Sequence, residues 1–320
     1  MYYKYNTKIG TLEAPFPINL GALGLMTYEH FNQNNIESKT ALPQIFKNTI
    51  EVIEKYYGIN SEHSYFEYPF DIHTTTFNKN VLLACTGGLD STYQAIFLKE
   101  KGYNITLFYM CEDNTKGEAS AVINLANELI LPRIRCNFIH NNDYTTDTFQ
   151  NLVFYSLMMD CCQAEDIYYI SSGNDATLDL YDITLAKNLN KAHQITDTFF
   201  NDLYLRYSFS IIPARKATKL EKLRKLKNYS LLDTYYSCNY PSKINKINRN
   251  QIQTRFGIKL GKHNCGKCEK CALYNLLYYY YFNYDFTDDF IDYCWDVISS
   301  NPLFSSYLDF DTKLKNLNNC

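Results

Sequence analysis

At Asn80 the sequence changes from irregular polar and aromatic residues to a regular alternation of short apolar runs and amphipathic stretches. Val81–Cys85 is an apolar run of strand length, and Thr86-Gly87-Gly88 breaks it. Asp90–Lys101 then reads as a helix, with Ala95, Ile96 and Leu98 apolar and Gly102 as its stop. The cycle repeats as strand Ile105–Met110, helix Gly117–Ile130, strand Ile134–Ile139, helix Thr148–Ala164 and strand Ile167–Ser171. Continuous apolar strands, each followed by a helix, need crossover connections and a parallel sheet covered on both faces. The pattern therefore predicts an α/β fold with right-handed crossovers. Ligands of such sheets sit beyond the carboxyl ends of the strands. Here those ends are Cys85–Leu89, Met110–Thr115, Ile139–Asn142 and Ser171–Asp175, all polar or glycine-containing.

Around this unit the pattern is weaker. Residues 1–78 read as an N-terminal extension packed on the main domain, punctuated by Pro15, Pro17, Gly21 and Gly24. Within it Ala41–Tyr57 has a helical period that puts Ile45, Ile50, Ile53 and Tyr57 near one face. The alternating domain is expected over 79–230, and 231–320 reads as a C-terminal helical region. Residues 176–226 look helical with an interruption near Ile211–Pro213. Lys216–Lys227 is strongly basic, which fits a solvated face or lysines turned toward phosphate. Asn239–Asn264 reads as a long loop, and the aromatic run Tyr274–Phe282 as a helix buried in the core.

Composition narrows the function classes. The formal charge is −3 and the pI about 6.1, so no global basic field attracts nucleic acid, and such a partner would need a local patch. The 30 Tyr and 20 Phe are better explained by the codons of a G- and C-poor genome than by an aromatic stacking platform. Met1–Gly10 has no apolar h-region. No stretch approaches the roughly 20 apolar residues of a membrane helix. The expectation is a cytoplasmic chain without a membrane partner, whose 11 cysteines serve metal binding rather than disulfides.

Thr86, Gly87, Gly88, Leu89, Asp90, Ser91 and Thr92 lie between a strand and a helix. Glycines let the backbone approach an anion and adopt positive φ. The amides of the first helical turn point at that anion, and the helix dipole favours it. Ser91 and Thr92 can add hydroxyl donors. The loop lacks the Lys of G-x-x-x-x-G-K-[ST] and the third glycine of the dinucleotide fingerprint.

A second motif is Cys265-Gly266-Lys267-Cys268-Glu269-Lys270-Cys271, three thiols each separated by two residues. A closed structural zinc site wants four ligands. Cys238 is the best fourth, with His263 the other candidate. An iron–sulfur cluster can use the same donors. Three ligands plus water would instead be a catalytic site.

The first motif resembles the S-G-G-x-D-S loop of the PP-loop ATP pyrophosphatases, with Thr86 in the Ser position. The order of TGGLDST, then S-C, then C-G-x-C-x-x-C resembles the 7-cyano-7-deazaguanine synthase (QueC) family over about residues 80–280. The resemblance implies a Rossmann-like sheet of the PP-loop (HUP) type with a C-terminal helical zinc-binding part. It implies ATP, Mg²⁺ and Zn²⁺ as cofactors, with zinc on Cys238, Cys265, Cys268 and Cys271. Family members adenylate 7-carboxy-7-deazaguanine, release pyrophosphate and AMP, and convert the carboxylate with ammonia to an amide and then a nitrile. Asp90 and Ser91 would be catalytic, Asp90 positioning the nucleotide or its Mg²⁺. Adenine would lie near Tyr109 and Met110. Ser172, Gly173, Asn174 and Asp175 sit where the family contacts substrate, and Asp179 and Asp182 are further candidates for the same cleft. Lys219 matches a family P-x(n)-K segment.

Departures from the family pattern are specific. Of its Y-G-Q-x-H-x-x-E segment, only the start and Glu118 of Tyr109–Glu118 fit. Its P-G-R-N segment aligns with Thr148-Phe149-Gln150-Asn151, without the arginine. The spacing from the first to the second zinc cysteine is longer, and residues 1–78 are additional. Divergent relatives in anti-phage defence operons are credited with joining the carboxylate to a protein amine, so a protein partner and a homodimer both fit the resemblance. The other readings are a PP-loop tRNA-modifying enzyme and a nucleotide-binding subunit without turnover. The acidic balance argues against a nucleic-acid partner.

Overall fold

The computed structural model describes residues 2–32, 41–58, 62–67, 77–111, 116–140, 147–171, 198–199, 210–213, 215, 217–236, 238, 240 and 242–300. In chain order the elements are β1 (Tyr3–Asn6), β2 (Gly10–Ala14), α1 (Leu20–Asn32), β3 (Leu42–Pro43), α2 (Lys47–Tyr57), β4 (Tyr65–Phe66), β5 (Asn80–Ala84), α3 (Leu89–Glu100), β6 (Asn104–Cys111), α4 (Lys116–Leu129), β7 (Arg133–His140), α5 (Asp147–Ala164), β8 (Tyr169–Ser171), β9 (Ser210–Ile211), α6 (Lys219–Asn228), α7 (Ser242–Phe256), α8 (Glu269–Phe282) and α9 (Asp288–Ser299).

Seven strands form one sheet in the order β1-β2-β7-β6-β5-β8-β9. β7, β6, β5, β8 and β9 run parallel. The chain builds outward from β5 through β6 to β7, then crosses back to β8 on the other side of β5. The strand order therefore reverses beside β5, at the crevice where open α/β sheets bind ligands. This is the parallel α/β architecture that the alternation from Asn80 predicts.

Side-chain alternation along β5 divides the core in two. Leu82 and Ala84 join α1, α2 and α5 on one face. Val81, Leu83 and Cys85 join α3, α4, α6, α8 and α9 on the other. Both faces of β5 are thus dry, as its unbroken apolar run requires. Asp160 on α5 ties the first face together. Its carboxylate oxygens accept the N–H groups of Asn19, Leu20 and Gly21 at 3.0, 2.9 and 2.8 Å, satisfying amides that a helix start leaves without partners.

Three features differ from the sequence reading. Residues 1–78 are more than a packed extension, because β2 pairs antiparallel with β7 and carries the main sheet outward to β1. β9 is a fifth parallel strand where only an interruption was expected, since two residues are too short to show a period. Much of Asn239–Asn264 is helix α7 rather than loop. α7 is polar nearly all round and buries little more than Asn245 and Ile252, so it lacks an apolar stripe. Ile45, Ile50 and Ile53 are buried on one face as expected, and Tyr274–Phe282 lies within α8. Among the described residues no helix is long and apolar enough to cross a membrane.

Candidate functional site

The Thr86–Thr92 turn stands at the carboxyl end of β5, beside the point where strand order reverses. The Cys85 N–H donates to the Phe108 carbonyl at 2.8 Å, so the strand pairing continues to the foot of the turn. Gly87 then takes φ +73°, the left-handed region that favours glycine. A Cβ there would meet the Ala121 Cβ at 2.7 Å and the Glu118 carbonyl at 2.9 Å, so the turn is wedged against α4. Gly88 is the N-cap of α3, in extended conformation. The helix's first internal bond runs from the Thr92 N–H to the Gly88 carbonyl at 3.0 Å. The amides before it have no intrahelical partner, which makes this end of α3 attractive to an anion.

The hydroxyls divide their work. Ser91 Oγ donates to the Gly88 carbonyl at 3.3 Å and lies 3.7 Å from the Cys85 thiol, so it braces the turn. Thr92 is 1% exposed, and its Oγ1 has no hydrogen-bond partner among the described residues. Burial pushes the Cys85 thiol up to about 11, which disfavours the reactive thiolate.

Asp90, in the first turn of α3, receives two cations. Lys219 Nζ lies 2.7 and 3.0 Å from its two oxygens, and Lys222 Nζ lies 2.7 Å from Oδ1. Burial alone would raise the Asp90 carboxyl; Lys219 and Lys222 outweigh it and hold the carboxyl below its ordinary value. Both lysines come from α6, which Thr218 starts with a capping box to Glu221. Gln94, 1% exposed, fixes the neighbouring segment: its Nε2 donates to Ser171 Oγ and the Pro213 carbonyl, and its Oε1 accepts the Arg215 N–H.

Lys219, expected among the substrate residues, instead meets Asp90 of the Thr86–Thr92 loop. Tyr109 and Met110 follow Phe108, the register partner of Ala84, so they flank the turn on the next strand. Ser172, Gly173, Asn174, Asp175, Asp179 and Asp182 lie outside the described residues. Lys222 and Gln94 were missed. The signal for Lys222 was present: it follows Lys219 by three residues and precedes buried Leu223 and Leu226, so it shares the inner face of α6.

The second cluster lies alongside. The Sγ atoms of Cys238, Cys265, Cys268 and Cys271 lie within 4.8 Å of one another, with Cys238 and Cys268 3.9 Å apart. Tetrahedral zinc with Zn–S bonds of about 2.3 Å spaces its sulfurs by about 3.8 Å, so the donor set fits such an ion. Main-chain amides point at the sulfurs: Lys267 and Cys268 donate to Cys265 Sγ, Cys265 to Cys271 Sγ, and Tyr240 to Cys238 Sγ, each at 3.3 Å. Such donors stabilise thiolate charge and orient ligands. Cys238 completes the set and His263 does not join it. Burial, then Lys262 and Arg249, push the His263 imidazole down to about 4. The clusters are linked, because the Tyr236 N–H donates to the Gly87 carbonyl at 2.7 Å and its ring packs 5.5 Å from that of His263.

Fold and site define an α/β protein with a mostly parallel seven-stranded sheet and a four-cysteine cluster able to hold a metal ion such as zinc. No protein-family model matches the chain, and a search of curated proteins finds no match.

Proposed function

We propose that this protein is a PP-loop enzyme that uses ATP to adenylate the carboxylate of a 7-deazaguanine. A carboxylate oxygen attacks the α-phosphorus, the bond to the β-phosphate's bridging oxygen breaks, and pyrophosphate leaves. An amine nitrogen or ammonia then attacks the acyl carbon, losing a proton, and AMP departs to leave an amide. Where ammonia is the nucleophile, the oxygen of the primary amide attacks a second ATP, pyrophosphate and one N–H proton leave, and departure of AMP with the second N–H proton gives the nitrile.

The observation that carries this reading is the positive charge gathered at the start of α3. Two lysines share one carboxylate in its first turn, beside main-chain amides and a Thr92 hydroxyl that has no partner among the described residues. A departing pyrophosphate needs its charge neutralised, and preorganised amides and lysines supply that without reorganisation. Lys219 and Lys222 would offset the developing charge, and Asp90 would hold them and a divalent cation in place. The four cysteines would hold zinc as a closed site, leaving no position for substrate, so its contribution is structural.

The test is turnover of ATP with Mg²⁺ and 7-carboxy-7-deazaguanine. AMP and pyrophosphate released only with the deazaguanine is the expected result. ADP as product, or release indifferent to the deazaguanine, would sink the reading.

A further inference from the structure

The eight Lys and Arg residues between Lys243 and Cys271 face a single acidic residue there, Glu269, in a chain of net charge −3. The structure gathers these cations onto one body. Asn245 Nδ2 donates to the His263 carbonyl at 2.9 Å, and Lys267 Nζ donates to Gln251 Oε1 at 2.6 Å. A Cβ on Gly266 would touch Ile252 at 2.9 Å, so the cysteine loop lies directly on α7. Six of the eight, Lys243, Lys246, Arg255, Lys259, Lys262 and Lys270, are exposed.

None of the eight is ion-paired among the described residues, although Lys4, Lys47, Lys219, Lys222 and Lys225 are. The acidic side chains of α9, which packs on Phe256, form no ion pair with them among the described residues. Unpaired like charges held together repel one another, a cost that a polyanionic partner relieves.

We propose that α7 and the cysteine loops dock the phosphodiester backbone of a nucleic acid. Between its cations α7 exposes Asn250, Gln251 and Thr254, side chains that hydrogen-bond phosphate and sugar oxygens. Ile244 and Ile247 are 44% and 49% exposed and give sugars and base faces an apolar contact. α7 has 15 residues, so it is about 22 Å long and spans several phosphates. This face adjoins the Gly87 turn through Tyr236. The inference is independent of the adenylation reading, since binding is measured without turnover.

The experiment is fluorescence anisotropy of the full chain with labelled RNA and DNA, single-stranded and duplex, at about 50 and 200 mM salt. Binding that weakens steeply with salt is expected. Lys243→Glu, Lys246→Glu and Lys262→Glu together should weaken it about ten-fold or more, because fewer counterions are released. Lys55→Glu, Lys79→Glu and Lys101→Glu change the net charge equally on exposed lysines elsewhere and should cost less than about two-fold. Metal content and thermal unfolding confirm that both variants are folded. The four nucleic acids show which backbone is preferred. Equal losses in the two variants, no binding at low salt, or equal displacement by polyglutamate of matched charge, which marks an acidic-protein surface, would each overturn the proposal.

Discussion

Lys222 is 0% exposed, and its ammonium lies 2.7 Å from Asp90 Oδ1. A buried cation depends on the carboxylate that balances it, so removing Asp90 costs more than removing the lysine. Asp90→Ala should therefore destabilise the protein by about 3 kcal/mol. Lys222→Met should cost less, because Lys219 still meets Asp90 and the methionine fills the same space. Urea unfolding of both variants checks this, and equal losses would show that Lys222 does not depend on Asp90.

The same pair sets a pH dependence. The Asp90 carboxyl lies below its ordinary value in the folded chain, so the folded state binds that proton more weakly than the unfolded state. Its contribution is present above the unfolded carboxylate value of about 3.9 and is lost as pH falls through the folded value. Stability should drop in acid below about pH 4, and Asp90→Asn should flatten that part of the curve. Thermal unfolding from pH 3 to pH 7 makes the comparison. An unchanged slope in the variant would place the acid sensitivity elsewhere.

How far the sequence reveals the fold depends on which residues carry a period. β5 is legible because a strand dry on both faces must be apolar throughout, and Val81–Cys85 is. The Gly87 turn is legible because its backbone forbids a side chain. The cysteine ligands are legible because their spacing is chemical. α7 is not, because a helix held by Asn245, Ile252 and the cysteine loop needs no apolar stripe. Its cations could be counted but not seen as a surface. Lys222 is easily passed over because a basic run resembles a solvated face, although its place three residues after Lys219 and before buried Leu223 and Leu226 marks the inner face of α6.

The cysteine cluster should hold one zinc per chain, and folding and metal binding should be coupled. Cys268→Ser should lower the zinc content and cost more than about 3 kcal/mol, because three thiols and their amide donors lose a common centre. Cys111→Ser removes a thiol outside the cluster and should keep full zinc. Metal analysis with thermal unfolding decides the matter. A Cys268→Ser protein with full zinc and unchanged melting would remove this residue from the ligand set.

Adjacent glycines separate folding from anion binding in the Thr86–Thr92 turn. Gly87→Ala meets φ +73° and contacts of 2.7 and 2.9 Å with α4, so strain and overpacking should together cost about 2–4 kcal/mol. Gly102→Ala, at φ +75° but with open space around it, should cost only about 1 kcal/mol. Gly88 has φ −74°, and an added Cβ would come no nearer than 3.6 Å to Thr86 Oγ1 and 3.7 Å to the Tyr236 carbonyl. Gly88→Ala should therefore fold with nearly unchanged stability, yet its methyl stands where a phosphate would approach the amides. ATP affinity, read by titration calorimetry, should fall about ten-fold or more, the loss of a charge-assisted hydrogen bond or two. It is a cleaner probe than Asp90, whose loss also removes an ion pair of a buried lysine. A Gly88→Ala protein that binds ATP as tightly as the parent would mean that this turn does not hold phosphate.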